Sequence, residues 1–119
     1  MSYDIYLKDP ITKEVLKSDE LHQMQGGTYA MGGIRDMWLN VTWNYAPFFS
    51  KVFLGGKGIR TIYGMTGAES IPVLDEAISK LCDDVDDDYW KATEGNTKAA
   101  LIQLKEMALM FPLGMWEGD

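Results

Sequence analysis

From Trp38 to Tyr45 the residues alternate without a break, with Leu39, Val41, Trp43 and Tyr45 on one side and Trp38, Asn40, Thr42 and Asn44 on the other. A strand repeats every two residues, so this pattern predicts a β-strand with one core face and one polar face. Two later segments follow the helical period instead. Ile71, Leu74, Ala77, Ile78 and Leu81 form one apolar stripe, and Ala100, Leu101, Leu104, Met107, Ala108 and Phe111 form another. A strand and two amphipathic helices that must share one core predict an α+β fold.

The helix boundaries have local causes. Thr66-Gly67-Ala68-Glu69 has the spacing of a capping box, and Ser70 before Ile71-Pro72 is a second N-cap candidate. Because proline suits a first helical turn, the first main helix is expected over about 70–82. The second is expected over about 94–110, stopped by Pro112 and Gly114. Pro47 suits the first turn of a short helix near 47–53 that Gly55-Gly56 terminates.

The N-terminal part reads as extended. Tyr3, Ile5 and Leu7 alternate with Asp4 and Tyr6, Asp9-Pro10 breaks the run, and Glu14–Lys17 is expected to return as the second arm of a hairpin. Two Gly-Gly pairs between Glu20 and Arg35 suit a loop around a short extended segment, and Lys57–Gly67 reads as a loop or short strand. The whole is expected to be one domain, 1–119, with a small antiparallel sheet packed on the helices.

Composition narrows the function classes. With 46% hydrophobic and 24% charged residues the chain is too apolar for disorder and too interrupted by charge for a membrane span. No export signal is apparent, and the lone Cys82 cannot form an internal disulfide, so a cytoplasmic location is expected. Asn40-Val41-Thr42 matches a glycosylation sequon in form only. The net charge is −7, of which residues 83–119 carry −6. Such a field repels nucleic acid phosphates, so direct nucleic acid binding is not expected, and basic protein surfaces and cations become the attractors.

No motif carries catalysis. The single histidine, His22, has no nucleophile in a recognisable context beside it, and no HExxH or zinc-ligand spacing occurs, so neither catalytic residues, nor a metal, nor a cofactor is assigned. Asp84, Asp86 and Asp88 have the first three oxygen positions of an EF-hand, but Tyr89 and Gly95 stand where a glycine and a bidentate glutamate are needed. The run reads better as a solvated acidic turn, or as a surface that meets a basic protein groove. On that reading Asp84, Asp86, Asp87, Asp88, Tyr89 and Trp90 are the candidate protein-binding residues, and an exposed aromatic cluster with Trp116 would strengthen it.

A second candidate site combines Lys57 and Arg60, in a glycine-rich turn able to cradle an anion, with the polar strand face at Asn40, Thr42 and Asn44. It predicts a small-ligand site for a nucleotide-like molecule. The simpler readings are a tight turn and a solvent-facing strand side. Homodimerisation is compatible with either, and an enzyme built on carboxylates alone stays open.

Several phrases carry a resemblance: Gly26-Gly27-Thr28-Tyr29-Ala30, Trp38 through Pro47, Gly58 through Gly64, Thr66 through Pro72, and Asp87 through Asn96. Together they resemble a set of small uncharacterised phage, prophage and bacterial proteins. The resemblance implies no activity or site residues. It makes an accessory role plausible, and its sharpest form is an anti-defence, anti-CRISPR-like inhibitor that binds a host protein.

Overall fold

The computed structural model describes residues 2–23, 33–83 and 92–119. Among them lie strands β1 (Ser2–Lys8), β2 (Lys17–Gln23), β3 (Gly33–Asp36), β4 (Trp38–Thr42) and β5 (Met115–Gly118). The α-helices are α1 (Ala46–Val52), α2 (Gly67–Ser79) and α3 (Glu94–Met110), with short 3-10 helices at Trp43–Tyr45 and Gly58–Ile62. This is the expected α+β arrangement.

The main sheet is antiparallel in the order β4-β1-β5, with Ile5 opposite Leu39 on one side and Gly118 on the other. β2 and β3 pair in a second, two-stranded sheet. The alternation in β1 is kept, since Tyr3, Ile5 and Leu7 are buried while Asp4, Tyr6 and Lys8 face outward. Leu39 and Val41 join the core from β4, and Trp116 from β5.

Several expectations need correction. The Glu14–Lys17 arm does not form a strand against β1. It makes one bridge, Val15 to Lys8, and one bond from Leu16 N to the Leu7 carbonyl, before the chain leaves as β2. The edges of β1 are filled by β4 and β5. Residues 20–23 and 33–35, expected as loop, are strand, and 59–63 lies mostly in a 3-10 helix.

The strand expected to reach Tyr45 ends at Thr42. There the Thr42 hydroxyl accepts a hydrogen bond from Asn44 N (3.3 Å) and caps the 3-10 helix, so the two-residue period is lost. Thr42 is consequently buried, and Trp43 is partly exposed instead of core.

α2 starts at Gly67, not beyond Ser70. Thr66 and Glu69 satisfy each other's backbone: Thr66 N donates to Glu69 Oε1 (2.9 Å) and Glu69 N donates to Thr66 Oγ1 (3.2 Å). Pro72 therefore lies inside the helix. The bond it forfeits would have used the carbonyl of Ala68, an exposed residue in the first turn.

Ser70, freed from capping, has another task. Its hydroxyl donates to the Gly67 carbonyl (2.8 Å) and accepts from the indole Nε1 of Trp116 (2.8 Å), which is fully buried. Trp116 thus belongs to the core, not to an exposed aromatic cluster. α2 and α3 pack antiparallel: the first turn of α2 meets the end of α3, and Glu94 at the start of α3 accepts a bond from Cys82 N just beyond α2. A Cβ at Gly67 would lie 2.6 Å from the Phe111 carbonyl oxygen and 3.0 Å from that of Ala108, so the helices touch backbone to backbone. α3 starts where expected, with Thr93 Oγ1 accepting from Asn96 N (3.1 Å).

Two outcomes follow. Ser70→Ala strands a buried indole N–H, and urea denaturation should show a loss of about 1–3 kcal/mol. The Glu69 carboxylate is held below its ordinary value of 4.5 by the Thr66 backbone and hydroxyl, and Asp9 is held low by the Thr12 and Ile11 amides. A lowered folded-state value means the stabilisation is complete above the unfolded value and is lost as pH falls through the folded one. The urea midpoint should therefore drop between pH 7 and pH 3, and Glu69→Gln should narrow that drop.

Candidate functional site

The outward residues of β1 alternate by sequence, and pairing brings those of β4 and β5 alongside: Asn40 opposite Asp4, and Trp38 and Glu117 opposite Tyr6. They cover one another. The Tyr6 and Trp38 rings stack (6.4 Å, 17°), Lys8 Nζ sits 5.2 Å from the Tyr6 ring centre, and the same ammonium meets Glu117 Oε2 at 3.0 Å. Trp38 Nε1 (3.1 Å) and Asn40 Nδ2 (2.9 Å) both donate to Asp4 Oδ1. One oxygen of Asp4 is thereby fixed by two side chains from β4.

An open groove of about 670 Å³ runs over β1 and β5, bounded by Tyr63 and Gly64. Three carboxylates, those of Asp4, Glu117 and Asp119, line it against a single ammonium, that of Lys8. Asp119 Oδ1 accepts from Asp4 N (2.9 Å), and Arg60 Nε donates to the Asp119 backbone oxygen (2.8 Å). At the Arg60 end the Tyr3 and Trp43 rings stack at 5.5 Å, and the guanidinium carbon lies 5.3 Å and 5.7 Å from their centres. Contacts of this kind contribute about 0.5–1 kcal/mol each at exposed sites.

Tyr63 has the one buried side-chain polar atom without a hydrogen-bond partner among the described residues. Its phenol is pushed well above the ordinary tyrosine range, first by burial and then by the nearby charges of Asp119 and Asp4, which outweigh Arg60. It therefore stays protonated and keeps a donor at the groove wall. Gly118 makes room for it, since a Cβ there would lie 2.4 Å from Tyr63 Oη and 2.7 Å from the Asp4 carbonyl oxygen.

The expected ligand-site residues are divided by this geometry. Asn40 is in the outer face, held to Asp4, and Arg60 reaches the groove residues through the Asp119 backbone oxygen without lining the groove itself. Thr42 is buried as a cap, Asn44 is exposed in the 3-10 helix, and Lys57 is exposed in the glycine turn. Gly55, Gly56 and Gly58 in that turn all have positive φ, so the glycines serve the chain reversal. The expected protein-binding residues Asp84, Asp86, Asp87, Asp88, Tyr89 and Trp90 lie outside the described residues.

Reading the sequence missed Asp4, Tyr6, Lys8, Tyr63, Glu117 and Asp119. The alternation of β1 marks Asp4 and Tyr6 as outward, but their meeting with Glu117 depends on β5, four residues too short for a periodic signal. Among the described residues no three carboxylate, imidazole or thiol groups cluster closely enough to hold a metal ion. Nor, among them, is any helix long and apolar enough to cross a membrane. No protein-family model, curated protein or solved structure matches the chain.

Tyr63→Phe removes a hydroxyl that has no partner, so its thermal unfolding should show unchanged or raised stability, by up to about 1 kcal/mol. Gly118→Ala should lower stability by about 1–3 kcal/mol, because the tyrosine or the strand has to move.

Proposed function

We propose that this protein is a non-enzymatic binding protein whose outer sheet face receives a basic group of a macromolecular partner. The observation that carries this reading is the groove over β1 and β5, where three carboxylates lie beside Lys8, and Lys8 and Lys13 are both paired with Glu117. The chain's net charge of −7 adds a long-range field of the same sign, which speeds encounter with a basic surface. Asp4 and Asp119 are held in place by hydrogen bonds, so little ordering is needed when a cation arrives.

A nucleotide-like ligand on Lys57 and Arg60 gains less support. Arg60 is already engaged by Asp119 and two rings, and the carboxylates beside it oppose a phosphate. In the form suggested by the phage resemblance, the basic partner is a host defence protein and the role is inhibitory. The acidic segment 84–88 would extend the same attraction.

The test is a dye-labelled peptide of alternating arginine and serine, titrated by fluorescence anisotropy. Paired charge reversal, Glu117→Lys with Asp119→Lys, should weaken binding at least tenfold, about 1.4 kcal/mol. Glu106→Lys, on the exposed side of α3, reverses the same kind of charge elsewhere and should do much less. Binding that is equal in all three proteins, or indifferent to salt between 20 and 150 mM, would refute the reading.

A further inference from the structure

A second, apolar groove of about 380 Å³ lies where the turn after β1 meets the segment between α3 and β5. Leu16 and Phe111, both packed against the core, line it, and Ile11 and Leu113 stand at its edge 88% and 80% exposed. Leu109 and Met110 add exposed apolar surface at the end of α3. Clusters of this kind on a small protein mark interaction sites.

Its position gives it a direction. The acidic groove is lined by Lys8 and Met115, which pair across β1 and β5, and the apolar groove by their chain neighbours Asp9 and Gly114. The two linings are therefore consecutive along the strands. From Asp4 to Asp9 is five residues, roughly 17 Å at the rise of an extended chain. At the junction, Ile11 N (2.8 Å) and Thr12 N (3.0 Å) both donate to Asp9 Oδ1 and hold its carboxylate ionised.

We infer that the two grooves form one bipartite surface for an extended peptide segment of the partner, with a large apolar side chain beside Leu16 and Phe111 and a basic residue about five positions along, between Asp4 and Asp119. This rests on the cation-binding reading above and adds the apolar anchor, the spacing and the extended form. Charge decides among occupants. A second copy of this chain brings another −7, and an anionic membrane is repelled in the same way, whereas a basic segment is drawn to Asp9, Asp4 and Asp119, the charges of Lys8 and Lys13 between them being taken up by Glu117. Joining the two contacts in one segment makes the second intramolecular, so the pair binds more tightly than either alone.

Three ten-residue peptides test this: one with tryptophan and arginine five positions apart, one with the tryptophan replaced by serine, and one with the arginine replaced by glutamate. The first should bind at least tenfold more tightly than either of the others. Leu113→Asp should abolish the advantage given by tryptophan while leaving the arginine-only peptide unaffected, and Ile11→Asp, at a site too exposed to affect folding, should do the same. If the first and second peptides bind the unaltered protein equally, the bipartite surface is refuted and cation binding stands. If neither arginine peptide binds, both readings fall. If the protein sediments as a dimer that Leu113→Asp splits, the apolar groove is covered by a second copy and the inference is overturned.

Discussion

The hydrogen bond from the Trp116 indole to the Ser70 hydroxyl ties the sheet to the first long helix inside the core. It places β5 against the first turn of α2 and closes the core over Ile5 and Leu7. Because Ser70 Oγ also donates to the Gly67 carbonyl, its donor and acceptor roles are both used inside the core. The same turn lies against the α3 terminus at Gly67, so one serine and one glycine set how the sheet and both long helices meet. Volume at this point is limited by backbone, which cannot change rotamer to relieve a clash.

Once β5 is fixed, the outer sheet face follows. Strand pairing sets Glu117 beside Tyr6 and brings Asp119 to the backbone of Asp4. The face is ordered by its own cross-strand contacts, aromatic on aromatic and ammonium on carboxylate.

Periodic segments were legible in the sequence where one face meets the core over several turns or residues. α3 begins and ends where its cap and stripe place it, and the inward residues of β1 are the expected ones. Legibility failed where a residue has two good local uses. Ser70 is as suitable a cap as Thr66 by residue type, and the reciprocal Thr66–Glu69 bonds together with the distant Trp116 decide between them. Thr42 continues the alternation on paper, yet its hydroxyl turns the chain. The candidate site was partly visible through Asn40 and Arg60. The rest depends on a strand of four residues whose pairing partner begins the chain, and no local pattern carries that information.

That pairing bears on how the protein is made. On the ribosome β1 emerges first and can find β4 once about forty residues are out, whereas its other edge stays open until β5 has been synthesised. Until then Ile5 and Leu7 lack Trp116 above them, and α2 and α3 have no strand to close on. Between the synthesis of β4 and that of β5 the nascent chain therefore carries an unpaired edge on its central strand, the kind of edge that invites pairing with another chain.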